Sequence, residues 1–562
     1  MKLAARAAYC LGILSAMVSA QVTPTFTFVE AGAQHGIGPY TMAGGMGAGL
    51  AAADYDDDGD IDLFVPNAGN IPDQLYRNLG NGVFEEIAAQ VGLDSLDPNR
   101  AALWFDYDGD GDLDLAVANN ACSLPCTPVP WLRLYRHRAD GIFEEVTAAA
   151  GLAGAITFYD GMHVGGFSAA DINNDGYLDL YLGYWEGQNY LFLNDGLGGF
   201  TDIATQAGIF SLRPYWQPVM HDFDGDGWMD ILQAVDFTPN SLWINAQNNT
   251  FLDQAVPAGV DNAMNDMGVT LGDYDNDGDF DIYITEITRN GMHNVLYRNN
   301  TVGSNLSFSE VAASAGVDIG YWGWGTTFMD ADNDGLLDLA ATNGAWGQWV
   351  NDPSLFYFNQ GGSPPTFSDV STSVGFADTE WGSGLIALDC DRDGDLDMMQ
   401  TCNNGPLRML ENQPIVGQTL GQYLVIKPRQ AGPNNRAIGA VVRVTAGANT
   451  WSRLITAGTS FLSQEPAEAF VGMGTATAAD TVRVDWPNGT QTTLANVPAG
   501  QVLTVTPGGY GDFDADGALG SGDVGSLVNC ITGPGVSPGP DCGLADFNGD
   551  RDADLNDFSN FQ

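Results

Sequence analysis

The chain has 562 residues, 44% of them hydrophobic, and a formal net charge of −52. That length exceeds one small domain, and the hydrophobic content is ample for buried cores. A charge of this sign and size argues against nucleic acid and against direct docking on anionic lipid.

The N-terminus reads MKLAARAAYCLGILSAMVSA, with Lys2 and Arg6 ahead of an apolar run and Val18-Ser19-Ala20 before Gln21. This pattern predicts a secretory signal over residues 1–20, cleaved after Ala20. The run is too short for a comfortable transmembrane helix, and no later stretch reaches about eighteen apolar residues. The expectation is a secreted protein, extracellular or at the cell surface, with no transmembrane segment. In an oxidising compartment the cysteines beyond Cys10 fall into close pairs: Cys122 with Cys126, Cys390 with Cys402, Cys530 with Cys542. Local disulfide pairing is the simplest arrangement.

Seven copies of an acidic nonapeptide, D-x-[DN]-x-D-G-x-x-D, begin at Asp54, Asp106, Asp171, Asp222, Asp273, Asp330 and Asp389. Side-chain oxygens at positions 1, 3, 5 and 9 can wrap a hard cation, and the glycine at position 6 supplies the positive φ that folds the loop back. The fixed spacing is what a merely solubilising acidic surface would not explain. Two further elements share the period. One reads Phe-x-[DE]-x-x-x-x-x-G-[apolar], as in Phe84 to Leu93, Phe143 to Leu152, Phe200 to Ile209, Phe308 to Val317 and Phe367 to Phe376, with Phe251 to Val260 a looser copy. The other is Leu75-Tyr76-Arg77-Asn78, repeated as Leu191 to Asn194, Leu242 to Asn245 and Leu296 to Asn299. Four short strands per unit, with almost no helical periodicity, predict propeller blades. A Phe-type segment at Phe28 precedes the first acidic loop, and none follows the seventh. The N-terminal strand is therefore expected to complete the last blade, giving one seven-bladed β-propeller over residues 21–413.

These motifs resemble the FG-GAP/VCBS repeat family, which includes the integrin α-chain propellers. The resemblance implies about seven Ca²⁺ ions, in loops between the first two strands of each blade on the lower face. By motif position the ligands are Asp54, Asp56, Asp58 and Asp62; Asp106, Asp108, Asp110 and Asp114; Asp171, Asn173, Asp175 and Asp179; and Asp222, Asp224, Asp226 and Asp230. The remaining loops supply Asp273, Asp275, Asp277 and Asp281; Asp330, Asp332, Asp334 and Asp338; and Asp389, Asp391, Asp393 and Asp397. Asn173 carries one fewer formal charge, so the third site is expected to be the weakest. Calcium should also relieve self-repulsion among the carboxylates.

Over residues 414–507 the acidic loops stop and alternating stretches such as Tyr423 to Ile426 and Val441 to Val444 predict a small antiparallel β-domain. The segments NRAIGA (Asn435 to Ala440), SFLSQ (Ser460 to Gln464), FVGMG (Phe470 to Gly474) and DWPNG (Asp485 to Gly489) resemble the ASPIC/UnbV domain, which follows such propellers in the cartilage acidic protein family. Residues 508–562 hold two loops with EF-hand spacing: Asp512, Asp514, Asp516 and Asp523, then Asp546, Asn548, Asp550 and Asp557. They resemble a type I dockerin, a short helical tail that would bind up to two more Ca²⁺ ions and a cohesin partner. Arg551 stands where the second turn glycine belongs.

The sequence has no H-E-x-x-H, G-x-S-x-G, P-loop or dinucleotide fingerprint, and no catalytic residue is assigned. Positions about eight before an acidic loop or about fourteen after it share the opposite face: His163, Tyr184, Trp185, Trp216, Trp322, Trp324, Trp346 and Trp381. Exposed tryptophans there would stack on sugars or grip a protein. The reading is a secreted calcium-binding adhesion or recognition protein whose aromatic-rich face, Trp185, Trp216, Trp322, Trp324, Trp346 and Trp381, binds a protein or glycan. The alternatives are an extracellular polysaccharide hydrolase or lyase built on the propeller, and a cohesin-bound scaffold subunit.

Overall fold

In each repeat the acidic loop joins a short inner strand to a second antiparallel strand, and two more strands complete a four-stranded meander. In the first unit these are Ala51–Ala53, Asp62–Val65, Gln74–Asn78 and Phe84–Glu86. The computed structural model describes residues 22–38, 41, 46–67, 71–120, 132–153, 163–185, 187–289 and 291–507. The signal sequence, the dockerin-like tail with its eight proposed ligands, and the pairs Cys122/Cys126 and Cys530/Cys542 lie outside those residues. Seven such sheets form the blades of a propeller. Their inner strands are Ala51–Ala53, Asn99–Phe105, His163–Ala170, Tyr215–His221, Val269–Gly272, Gly323–Met329 and Gly382–Leu388. Strand Phe26–Glu30 is the outer strand of blade 7, paired antiparallel with Leu407–Pro414 in the register Phe28↔Asn412. Blade 7 then meets blade 1 through Ser383 Oγ, which donates to the Ala48 carbonyl at 2.9 Å.

The repeated residues act as staples. In all seven blades the position-9 aspartate (Asp62, Asp114, Asp179, Asp230, Asp281, Asp338, Asp397) accepts two backbone N–H bonds. One comes from position 2 of its own loop, as from Ile172 to Asp179 at 3.0 Å, and the other from the end of the third strand, as from Asn194 at 2.8 Å. The asparagine ending that third strand links blades. Asn245 Nδ2 donates to Met229 O of its own blade and to Ile172 O of the preceding one, at 3.1 and 2.8 Å. Asn78, Asn194, Asn359 and Asn412 repeat the arrangement. In blade 2 His137 takes that position and stacks on Phe143 instead. The acid of the Phe-type element caps the turn that follows: Glu86, Glu145, Asp202, Asp253, Glu310, Asp369 and Glu30 each accept the N–H two residues on. In three copies that turn is one helical turn, ended by Gly92, Gly259 or Gly316 in the left-handed region.

The C-terminal module contains two sheets. Gln422–Pro428 lies between Ala469–Gly474 and Gln501–Val505, and Val441–Ala446 lies between Asn449–Leu454 and Ala478–Asp485, with Gln491–Pro498 outermost. The expected all-antiparallel pairing needs one correction, because Gln422–Pro428 and Gln501–Val505 run parallel. The module packs on the acidic-loop end of the propeller and shares one apolar core with blades 2–6 and a second with blades 6 and 7.

Between its sheets, residues Ala457–Glu465 enter the central channel and touch every blade. Ala52 and Leu50 bond Gln464 backbone to backbone, and the Gln464 amide bonds both Trp104 backbone groups. Ala169 donates to Ala457 O, Gln217 Oε1 accepts from Leu462, and Val269 exchanges two bonds with Ser460. Thr326 donates to Ser460 Oγ, and Ala387 to Glu465 Oε1. The fit requires small residues on the channel wall: a Cβ on Gly49 would stand 1.9 Å from the Leu462 carbonyl oxygen. Ser460 and Leu462 adopt φ of 60° and 57°, a strain that seven-fold hydrogen bonding offsets.

Cys390 and Cys402 are free and buried, which corrects the local pairing expected for them. Cys390 is position 2 of the seventh loop, where its Sγ donates to Asp397 Oδ2 at 2.8 Å. Cys402 ends strand Asp397–Cys402 at the far face, paired with Gly382. No helix among the described residues is long and apolar enough to cross a membrane.

Candidate metal loops and the aromatic face

The chain folds back at each loop because glycine or asparagine takes a left-handed conformation at the turn, as at Asn276 (φ 56°) and Gly278 (φ 100°) in loop 5. That turn brings the carboxylates together. One oxygen from each member of Asp54/Asp56/Asp58, Asp106/Asp108/Asp114, Asp222/Asp224/Asp230, Asp273/Asp275/Asp281 and Asp330/Asp332/Asp334 lies within 4.8 Å of the others. Several of these oxygens are buried without a hydrogen-bond partner: both of Asp273, both of Asp389, and one each of Asp56, Asp275 and Asp332. Buried anionic oxygens left unpaired are costly. A convergent all-oxygen set of this kind suits a hard divalent cation such as calcium. In loop 3 Asn173 turns its Nδ2 to Asp175 Oδ2 at 2.8 Å, so an amide donor occupies part of that site.

The electrostatics follow the geometry. Burial, then neighbouring carboxylates, push Asp56 up to about 7, and burial takes Asp389 to about 8 against the opposing charge of Arg392. Burial drives Asp106 to about 7 against two backbone N–H bonds. Asp54 is the exception. Burial opposes its charge, but Lys427, Arg436 and Arg429 of the C-terminal module outweigh burial and hold its carboxyl below the ordinary value. Lys427 Nζ sits 3.1 Å from Asp54 Oδ2, and Arg436 reaches Asp57 Oδ1 at 2.6 Å. Further round the ring Asn435 donates to the Gly111 carbonyl at 2.8 Å. The NRAIGA segment is thus a clamp on loops 1 and 2.

At the opposite end of the strands the predicted aromatic residues do converge, with three corrections. Trp216 and Trp324 are only 1% exposed, and Tyr184 is buried as well. Phe461 of the channel insert lies between the two tryptophans, 5.4 Å from Trp216 and 5.1 Å from Trp324, so they are its packing partners and not a ligand surface. Trp185, Trp322 and Trp381 are half-buried, and Trp346 is 49% exposed. Trp346 packs on Trp322 at 5.3 Å and on Trp381 at 5.1 Å. Trp349 joins them, edge-on to Trp322 at 4.8 Å. Sequence reasoning missed Trp349; its signal was the spacing of three from Trp346, spanned by the turn Gly347–Trp349.

The histidines near these features are not poised bases. Burial, then the charge of Arg100, pushes His163 down to about 4. Burial, then Arg443, does the same to His221, whose ring lies edge-on to Phe223 and Phe280. The channel mouth also holds a buried polar network, in which Asn262 Nδ2 donates to Asp266 and Glu286 and Asn265 Nδ2 donates to Asp236.

Comparison with known proteins agrees with this architecture. Residues 54–117, 171–233 and 222–284 match the family described as FG-GAP-like repeat, and residues 430–510 match ASPIC and UnbV. The chain carries FG-GAP-like repeats, folded as a propeller, joined to an ASPIC/UnbV domain. It is similar to cartilage acidic protein 1 of Homo sapiens, with 24% identity over 495 residues, 81% of this chain and 71% of the human protein. The Mus musculus protein of that name is 26% identical over 56% of this chain and 51% of its own length. The Xenopus tropicalis protein is 25% identical over 53% and 48%. The chain thus spans about half the length of the mouse and frog relatives it matches. Among solved structures, a chain from the crystal structure of BBS1N in complex with ARL6DN, soaked with lead, aligns over 71% of this chain and 100% of its own, at 10% identity and TM-score 0.41.

Proposed function

We propose that this protein is a secreted recognition protein: calcium in the acidic loops holds the blades and the C-terminal module together, and the tryptophan rim at the other face grips an extracellular protein or glycan. The observation that carries the reading is the division of one set of strands. At one end, unpaired buried carboxylates meet a basic module. At the other, a contiguous cluster of Trp322, Trp346, Trp349 and Trp381 reaches the surface. Large rigid aromatics at low entropy cost are the usual anchors of protein and sugar recognition. Similarity to cartilage acidic protein 1 supports an extracellular, non-enzymatic role. So does the chemistry of the acids, since a carboxylate spent on calcium makes a poor general acid. The calcium is structural and takes no part in a reaction. The test is a glycan and protein array probed with the full chain and with the double variant Trp346→Ala/Trp381→Ala. Ligands lost only in the variant, at unchanged folding, support the rim; identical binding profiles remove it from consideration.

A further inference from the structure

Lys427 is the only lysine after Lys2, and it is not a surface residue. Its ammonium lies 3.1 Å from Asp54 Oδ2, with the two side chains 12% and 5% exposed. Asp54 is position 1 of the first acidic loop. No other position-1 carboxylate is paired with an ammonium or guanidinium among the described residues. In loops 3, 4 and 6 these aspartates, Asp171, Asp222 and Asp330, accept only backbone N–H groups of their own turns. In loops 5 and 7 Asp273 and Asp389 leave both oxygens unpaired. In loop 1 Asp54 Oδ1 instead accepts the Gly59 N–H, and Lys427 takes Oδ2.

We propose that loop 1 is filled by the chain's own ammonium and takes no divalent ion while the C-terminal module is docked. The inference rests on the calcium reading of the other loops. Three fixed positive charges, Lys427, Arg436 and Arg429, surround this loop and repel an incoming dication. Lys427 has little room to withdraw. It lies on strand Gln422–Pro428, bonded on both edges to Ala469–Gly474 and Gln501–Val505, and its chain neighbours Ile426 and Pro428 are buried. The ammonium is a compact monovalent head that here donates to Asp54 Oδ2, whereas calcium would need about six to eight oxygen ligands. The loop becomes the seat of a docking latch, and the one lysine left after the signal sequence is its tongue.

Counting bound calcium per full-length chain by native mass spectrometry at saturating calcium tests this directly. Asp389→Asn is expected to lose one ion, Asp54→Asn to lose none, and Lys427→Gln to gain one. Loss of an ion from both aspartate variants overturns the latch and leaves the calcium reading standing. Loss from neither sinks the calcium reading and the latch with it. An unchanged count in folded Lys427→Gln shows that the lysine is not what keeps the ion out, and also overturns the proposal. Should Lys427→Gln fail to fold, the Asp54→Asn count alone decides.

Discussion

The two ends of the propeller strands are built by opposite rules. At the loop end every blade repeats the same turn glycine and stapling aspartate, with Asn173 the one break among the ligand-position acids, and the C-terminal module covers the result. At the rim the blades diverge: blades 6 and 7 contribute Trp322, Trp324, Trp346, Trp349 and Trp381, and blade 2 places Asn99 and Asn119 at the equivalent ends of its strands. The repeated end has to satisfy an invariant problem, closing a hairpin while holding several carboxylates out of water. The divergent end has no such common constraint, and its residues are free to follow a ligand. Conformity therefore marks scaffold in this molecule, and departure from the repeat marks specialisation.

Removing calcium should break this comparison most forcefully. Near or above its dissociation constant each filled loop contributes roughly 0.4–1.4 kcal/mol, and several loops together match the stability of a typical domain. Chelation is expected to lower the melting temperature by about 3–10 °C in scanning calorimetry. A shift of a degree or two would show that the staples, not the ions, carry the loop end. Next in size is the channel insert. Phe461→Ala removes the ring that Trp216 and Trp324 enclose, and a fully buried phenylalanine truncation costs about 3–5 kcal/mol. Urea unfolding measures it. A cost below about 1 kcal/mol would mean that the insert follows the propeller without supporting it.

Much of the loop end was readable from sequence because its chemistry is local. Nine consecutive residues contain the candidate ligands, the turn glycine and the stapling aspartate, and the Phe-x-acid element contains its own cap. The strand Phe26–Glu30 was readable in the same way, from a surplus copy at one end of the chain. What escaped was set by long-range contacts. Nothing in SFLSQ marks Phe461 as the filling of a channel, and so Trp216 and Trp324 were correctly placed at the rim yet wrongly expected to be exposed. Lys427 meets Asp54 across 373 residues. The Cys390–Cys402 pair was an avoidable error. Residues from the loop to the end of a strand of this length lie about 20 Å apart, several times the reach of a disulfide.

The acid dependence of the loops sharpens the comparison further, because the ion reverses its sign. Without calcium, Asp106 and Asp389 titrate near 7 and 8 in the folded protein and near 4 when unfolded. The folded state then binds more protons between those values, so stability of the chelated protein rises as pH falls from about 8 towards 5. With calcium bound, protons compete with the ion and acidification over the same window weakens the fold. Thermal melts at pH 8, 6.5 and 5, with and without chelator, should show slopes of opposite sign. Parallel slopes would mean that the carboxylates do not share a cation.

The smallest stability effect is expected at the rim, and its smallness is the point. Trp346 is 49% exposed and packs on the rim tryptophans Trp322 and Trp381, whereas Trp324, at 1%, is locked against Phe461. Trp346→Ala should cost no more than about 1 kcal/mol, and Trp324→Ala about 3–5 kcal/mol. The pair separates two roles that the sequence presents identically, since both tryptophans lie at the same end of neighbouring strands in one blade. If the two variants unfold at the same urea concentration, the exposed ring is structural, and a surface for recognition must be sought elsewhere on the molecule.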